Sequence, residues 1–265
     1  MSELREQIER RQREEISSER LLRAFVAHED WLFFVEEGGV EKWRREGGPP
    51  EYVVRTDEGG KKSLYIFSDA EAIKTYIKDS GVTEWRCEVM KSAGTDIFVS
   101  LPNYLTDIVV NPMTAHAVSY RGEELNGLRV IAEAAYMERE LRSLSDGSVG
   151  DEAGLMRVVS DFRRYDNFNL VSYLEGDGQW TYPRYAAADG PNWVVAFTAP
   201  DNANLYLQRC AAELPGRYRV GRLDGEGLAQ IALALESAGV LFNWEGYAKP
   251  LMLNSQFLQL VCGGQ

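Results

Sequence analysis

Histidine and cysteine are the residue types of this 265-residue chain best suited to chemistry, because they serve as metal ligands, nucleophiles and acid–base groups. The chain carries His28, His116, Cys87, Cys210 and Cys262. No His-x3-His or Cys-x2-Cys spacing occurs, so the sequence predicts neither a metal site nor a cofactor. Cys87 has no neighbouring base to form its thiolate, and we expect it to be a small buried residue.

Two further patterns resemble catalytic or phosphate-binding elements but lack their essential residues. The stretch Asp224-Gly225-Glu226-Gly227 lacks the Lys-Ser/Thr of a P-loop, and we predict that Asp224 caps a helix instead. Adjacent acids such as Glu123-Glu124 are expected to be solvated, because acid–base catalysis needs carboxyl groups in different environments. The sequence therefore predicts no catalytic residue and a protein that is not an enzyme.

Asn111 and Asn243 are the candidates for a ligand contact. Each follows a short apolar run, Ile108–Val110 or Val240–Phe242, and α/β sheets bind ligands at the carboxyl ends of their strands. The alternative role is structural, with the asparagine side chain bonded to the backbone of a turn. We favour this structural role.

The two asparagines belong to a pattern that occurs twice. The runs Leu64–Ser68 and Val194–Thr198 each end in Phe followed by Ser or Thr, and nine residues after each Phe stand Tyr76 and Tyr206. The distance from Phe to Asn is 44 residues in the first copy and 46 in the second. A repeat at this scale indicates two related structural units. We predict that the two copies superimpose.

The order of the apolar patterns predicts an α+β (mixed α/β) fold with two pseudo-repeated units, each a mixed β-sheet with packed helices. The predicted units are residues 18–145 and residues 151–262. At the junction after each repeated strand, Ser68 and Thr198 are expected to cap the next helix together with an acid three residues later.

Residues 1–17 are predicted to form a charged helical extension outside both units. They are mostly Glu, Arg and Gln, and Leu4 and Ile8 offer little apolar surface against the entropy of ordering so many long side chains. We expect the segment to be mobile or held by another chain, with Leu4 and Ile8 as its partner-binding residues. On this hypothesis, replacing both by serine leaves the melting temperature almost unchanged.

Trp43 is the third candidate for partner binding. It stands in a charged segment bounded by glycines, where an aromatic side chain is expected to be exposed. Exposed tryptophans are frequent anchors of protein interfaces.

The net charge of −12 predicts that nucleic acid and membrane surfaces are not partners, because an acidic surface repels phosphate groups. The three cysteines are odd in number and widely spaced, which favours a reducing cytoplasm over a disulfide framework. The charged start of the chain does not resemble a secretory signal. No apolar stretch reaches the roughly 18 residues needed to span a bilayer.

The order of the elements resembles the SseB N-terminal-like domain family, in which a helix leads to an aromatic strand, a hairpin, a strand ending in Phe-Ser or Phe-Thr, and a strand ending in Asn-Pro. The matching residues are Trp31, Asp57–Gly60, Phe67-Ser68 and Asn111-Pro112 in the first copy, and Phe168, Trp180, Phe197-Thr198 and Asn243 in the second. The likeness covers about residues 20–125 and 155–260, and Trp244 replaces the proline in the second copy. It implies a bacterial cytoplasmic protein, linked to type III secretion, with no established enzymatic chemistry.

Together these observations predict a non-enzymatic cytoplasmic protein-interaction or adaptor module, associated with a bacterial secretion or toxin-defence system. Its partner would be another protein or a second copy of the chain. The alternative is a small-ligand-binding protein or hydrolase that uses the cleft between the two units. A closed pocket with convergent polar groups would favour the alternative, whereas an exposed apolar groove would favour a protein partner.

Overall fold

The computed structural model describes residues 3–46, 48, 50–80, 86–174, 178–186, 190–210, 217–244 and 250–263. The chain divides into two compact units, Met1–Tyr136 and Met137–Gln265. Each unit combines helices with a sheet that contains parallel and antiparallel pairs, so the predicted α+β fold is confirmed. Within the described ranges, no helix is long and apolar enough to cross a membrane.

The first unit is built on one six-stranded sheet. Its elements are α1 (Glu3–Gln12), α2 (Ser18–Ala27), β1 (Trp31–Glu36), α3 (Gly39–Glu46), β2 (Val54–Thr56), β3 (Lys62–Phe67), α4 (Ala70–Asp79), β4 (Cys87–Ser92), α5 (Gly94–Val99), β5 (Asp107–Val110), β6 (Val118–Arg121) and the start of α6 (Glu123–Ser145). The strand order is β4-β1-β3-β5-β6, and β2 pairs with β3.

The second unit contains the end of α6 and two smaller sheets. Its further elements are α7 (Glu152–Arg164), β7 (Phe168–Leu174), β8 (Trp180–Thr181), β9 (Arg184–Ala186), β10 (Asn192–Ala196), α8 (Pro200–Cys210), β11 (Tyr218–Leu223), α9 (Gly225–Ala234), β12 (Gly239–Phe242), β13 (Leu251–Asn254) and α10 (Ser255–Gly263). The sheets have the orders β13-β12-β10-β9 and β11-β7-β8, and a single bridge joins Asn169 of β7 to Phe197.

The two units share the arrangement around a central parallel pair of strands. Leu64 of β3 lies opposite Ile108 of β5, and Val194 of β10 lies opposite Val240 of β12. In each unit an antiparallel strand, β6 or β13, pairs with the outer side of that second strand. The predicted equivalence of the two copies is therefore confirmed.

The nine-residue spacing between Phe and Tyr has a packing cause. The rings of Phe67 and Tyr76 are 5.3 Å apart, and the rings of Phe197 and Tyr206 are 5.2 Å apart. Phe67 is the last residue of β3 and Phe197 directly follows β10, and each tyrosine lies on the buried face of the helix that follows. The spacing thus places one aromatic pair on the same face of both sheets.

Two equivalent glycines allow helices to pack at very short distance. Gly94 and Gly225 begin α5 and α9. A Cβ atom would lie 2.2 Å from the carbonyl oxygen of Phe25 at Gly94, and 1.9 Å from that of Phe162 at Gly225. No larger residue fits either position without a backbone shift. Close packing thus explains Gly225, the first glycine of the Asp224–Gly227 stretch.

Helix α1 belongs to the core of the first unit. Leu4 is 4% exposed and Ile8 is fully buried, in the same apolar cluster as Phe25. Arg5 also forms an ion pair with Asp69 at 2.5 Å. The prediction that residues 1–17 lie outside the unit, with Leu4 and Ile8 as anchors for another chain, is wrong. These two side chains belong to the apolar core of their own unit, where α1 packs against α2.

Helix α6 supplies the corresponding leading helix to the second unit. Met137 and Leu141 are buried in the second core with the same four-residue spacing as Leu4 and Ile8, and they precede α7 as α1 precedes α2. The boundary between the units falls within α6 and not after residue 145 as predicted. The repeated unit therefore begins with a helix in both copies.

Candidate functional site

Asn111 and Asn243 are structural residues of equivalent turns. Their backbones are left-handed, with φ of 47° and 58°, a conformation that asparagine tolerates better than most residues. The side-chain Oδ1 atoms accept hydrogen bonds from the backbone N–H groups of Ser68 at 2.8 Å and Thr198 at 3.0 Å. Both asparagines are fully buried. This geometry agrees with the structural role that we favour for the two asparagines over a ligand contact.

The first junction, between β3 and α4, is capped by Asp69 and not by the predicted Ser68. The Asp69 carboxylate accepts from the N–H groups of Glu71 and Ala72, each at 3.0 Å. Burial by itself raises the pKa of Asp69, but the Ala72 N–H, the Ser68 hydroxyl and Arg5 outweigh it, and the net pKa is lowered. The carboxylate therefore stays ionised and holds α1 to the start of α4 through Arg5.

The second junction, between β10 and α8, contains a half-buried glutamate, Glu138, that the sequence analysis missed. Thr198 donates its hydroxyl to Glu138 and also contacts Oδ1 of Asn243 at 3.2 Å. Asn243 donates its Nδ2 to the same Glu138 oxygen at 3.2 Å. Burial raises the pKa of Glu138, and Asp201 raises it further, while Thr198, Arg142 and Asn243 act in the opposite direction.

A carboxyl group of raised pKa beside a hydroxyl is the chemistry of a general base and a nucleophile. Thr198 and Asn243, however, are both fully buried. The backbone carbonyl of Thr198 also accepts the hydroxyl of Tyr165. Since a nucleophile must reach its substrate, this arrangement supports a role for the cluster in joining α6 to the sheet.

Stability should depend on pH through Glu138. A raised folded pKa means that its stabilising contribution is complete below about pH 4.3 and is lost as the pH rises through the folded pKa. Glu138→Gln keeps an acceptor for Thr198 and Asn243 without a charge, so we expect a flatter profile of unfolding free energy between about pH 4 and pH 7. Glu138→Ala removes the acceptor and should cost about 1–3 kcal/mol below about pH 4.3, and less as the pH rises through the folded pKa of Glu138.

The measurement is denaturant unfolding at each pH, followed by tryptophan fluorescence. Parallel pH profiles for the wild type and Glu138→Gln would show that this carboxyl group does not couple folding to protonation.

The remaining titratable candidates form no reactive cluster. His28 contacts the carbonyl of Ser68 at 3.1 Å, and His116 lies 3.6 Å from Glu9. Burial raises the pKa of the Cys87 thiol, and Glu36 raises it further, which disfavours the nucleophilic thiolate. Among the described residues, no group of three His, Cys, Asp or Glu could hold a metal ion.

Asp224 caps α9 as predicted, because its carboxylate accepts the Gly227 N–H at 2.7 Å.

Trp43 is 38% exposed on α3, and its indole N–H donates to the Gly48 carbonyl at 3.0 Å. Its predicted exposure is confirmed. That Trp43 anchors a partner stays a prediction.

The second unit carries an open groove of about 380 Å³ with a mixed polar and apolar lining. It lies among β13, α10, the end of α6 and the start of α7, and its apolar lining comprises Leu144, Leu155, Met252, Leu253, Phe257 and Leu260. Met252 is 46% exposed and Leu260 is 43% exposed. Its polar lining consists of Ser145, Asn254 and Gln256, so it presents no titratable side chain. We call this feature the β13 groove.

The equivalent surface of the first unit is polar. Met252 pairs with Leu241 of β12, as Ser119 pairs with Val109 of β5, so Ser119 is the counterpart of Met252. The same offset of 133 residues relates Met137 and Leu141 to Leu4 and Ile8. At this offset, charged residues of the first copy stand at four groove positions, with Arg11 for Leu144, Arg121 for Asn254, Glu123 for Gln256 and Glu124 for Phe257. The other groove positions have uncharged counterparts, which are Gln12, Leu22, Tyr120 and Gly127. Charges present in the first copy are thus absent from the second.

This exchange of residue types is the signal that sequence reasoning could have used. Apolar residues such as Leu144 and Met252 look like ordinary core positions when each copy is considered alone. Comparison of Leu144 with Arg11 and of Met252 with Ser119 marks two positions that reach the surface in both copies and are apolar in only one.

No protein-family model matches this chain, and no curated protein matches it in sequence. Among solved structures, a match was found to Anabaena Tic22, a protein described as one of protein transport. The two chains are 12% identical, the match covers 83% of this chain and 87% of the other, and the TM-score is 0.22. A likeness at this level carries no argument about the fold or the function of this chain.

Proposed function

We propose that the protein is a non-enzymatic protein-interaction module that binds a partner through the β13 groove. The observation that carries this proposal is the replacement of charged residues in the first unit by an open, uncharged groove in the second, in which Met252 and Leu260 are exposed apolar side chains. Contiguous exposed apolar surface costs solubility unless a partner covers it. A folded unit that keeps such a surface where its own repeat does not is best explained by binding.

The chemistry of the two junctions also supports binding over catalysis. The polar groups that converge in each unit, around Asn111 and Asn243, are buried and bonded to one another. The β13 groove offers apolar contact without an acid, base or nucleophile. The alternative of a small-ligand-binding protein or hydrolase therefore has less support than a protein partner.

The cellular setting is proposed on the resemblance to the SseB N-terminal-like family. That resemblance, together with the cysteine usage, supports a cytoplasmic location and a link to a secretion or toxin-defence system. The net charge of −12 supports a protein partner over nucleic acid or anionic lipid.

Substitutions in the β13 groove should remove partner binding and leave folding intact. Met252→Ser installs the residue of the first copy, and Leu260→Gln removes a second exposed apolar side chain. Because both side chains are substantially exposed, we expect each change to alter the unfolding free energy by no more than about 0.5 kcal/mol. Proteins retained by immobilised wild-type protein from a native lysate should be lost with the double variant.

Val89→Ser is the matched control, since Val89 is also 46% exposed but lies on β4 of the first unit. It should retain the same proteins as the wild type. Equal retention by the wild type and the groove variant would exclude the β13 groove as the binding site.

A further inference from the structure

The backbone at the rim of the β13 groove is available for strand pairing. Ser255 donates its N–H to the Ala238 carbonyl at 2.8 Å, one step beyond the Gly239–Asn254 pair of β12 and β13. Bonded and non-bonded pairs alternate along an antiparallel ladder. Leu251 and Leu253 therefore direct their backbone groups toward β12, and Met252 directs its N–H and carbonyl to the open edge.

No described strand pairs with this outer edge, because β13 ends its sheet. Proteins usually protect such edges with charged side chains. The other terminal strands of three or more residues in the described sheets follow this rule, with Glu88 in β4, Arg121 in β6, Arg184 in β9 and Arg219 in β11. The sequence of β13, Leu-Met-Leu-Asn, carries no charge.

The groove runs along the edge of the strand and not over one face of the sheet. Met252, Leu253 and Asn254 all line it, although consecutive side chains of a strand point to opposite faces. Phe257 and Leu260 of α10 line it as well. An occupant that extends the sheet would therefore place its backbone beside Met252 and its side chains against α10.

The connection between two of the groove residues is acidic, whereas Arg142 and Arg157 lie just outside it. The chain between Leu144 and Leu155, two of the groove residues, holds Asp146, Asp151 and Glu152 and no base. Residues 250–263, which form the opposite side, hold no charge at all. The nearby Arg163 donates to the carbonyls of Leu260 and Val261 at the end of α10.

We propose that the β13 groove binds an extended, apolar segment of a partner protein, flanked by basic residues, which pairs with β13 as an added strand. The inference rests on the proposed function and names its mode of recognition. Backbone pairing supplies affinity in such complexes, and side-chain pockets supply selectivity. The acids between Leu144 and Leu155 would attract lysine or arginine beside the apolar segment.

The test uses synthetic peptides and the full chain. The first probe is a fluorescein-labelled peptide of alternating valine and threonine with two lysines at each end. Three matched peptides serve as controls. The first has alternate backbone nitrogens N-methylated, and the second has glutamate in place of each lysine. The third is a lysine-rich peptide of the same net charge that forms an amphipathic helix. Fluorescence anisotropy should show the first probe binding most tightly, with N-methylation weakening it by about tenfold through the loss of two backbone hydrogen bonds.

Met252→Ser should weaken the binding of the first probe, and Val89→Ser should leave its binding unchanged. Hydrogen exchange at the Met252 amide should slow in the complex. Equal binding of the N-methylated or helical probe would overturn strand pairing but leave the proposed function standing. If the wild type forms a dimer and Met252→Ser dissociates it, the occupant of the groove is a second copy of the chain, and the inference is overturned. If no peptide binds and the groove variants retain every lysate protein, both proposals fail.

Discussion

Ile8→Ala should lower the free energy of unfolding by about 2–5 kcal/mol, the cost of removing a fully buried isoleucine from a core. Ile8 is completely shielded from solvent, and it packs in the apolar cluster that also holds Leu21 and Phe25. The result would show that the first helix is part of the folded unit. It is the opposite of the outcome expected from the sequence, in which changes at Leu4 and Ile8 leave stability untouched.

Ile77→Ala provides the matched control, because Ile77 lies on α4 and is 42% exposed. The same chemical change there should cost well under about 1 kcal/mol. Leu141→Ala, at the counterpart of Ile8 in the second unit, should be as costly as Ile8→Ala. Denaturant unfolding measures all three. An Ile8→Ala variant as stable as Ile77→Ala would mean that α1 does not pack as described.

The second large effect is expected at the strand-end asparagines. Asn111→Ala leaves the Ser68 N–H buried without an acceptor, a loss of about 1–3 kcal/mol. It also places alanine, which tolerates the left-handed conformation less well than asparagine does, at a φ of 47°, at a further cost of about 1 kcal/mol. Asn111→Gly removes the same hydrogen bonds without the backbone strain. We therefore expect glycine to be less destabilising than alanine and both to be less stable than the wild type.

The corresponding variants at Asn243 should lose more stability than those at Asn111. Asn243 donates its Nδ2 to the carboxyl group of Glu138, whereas Asn111 donates its Nδ2 to the neutral hydroxyl of Ser68 at 3.0 Å, and a hydrogen bond to an ionised group is the stronger of the two. Equilibrium unfolding of the four variants gives the comparison. An Asn111→Gly protein as stable as the wild type would show that the side-chain bonds contribute nothing.

Local patterns in the sequence determined the α+β fold and its duplication. The strands around Leu64 and Val194 are short apolar runs between turn residues, and such runs pair in the interior of a sheet largely irrespective of what surrounds them. The Phe–Tyr spacing was visible because both residues lie on adjacent elements. The structural role of Asn111 and Asn243 was also predictable, because a strand-end asparagine has a local reason to bond its turn.

Contacts between residues far apart in sequence decided the rest. The pairing of Arg5 with Asp69 and the position of Glu138 beside Thr198 depend on partners about 60 residues or more away, and the burial of Ile8 depends on an apolar cluster drawn from the whole unit. No periodicity within a helix reveals these contacts. The β13 groove likewise exists only because α6, α7, β13 and α10 meet in the second unit. Sequence specifies which side chains are apolar, but tertiary packing alone determines which of them are covered and which remain open to a partner.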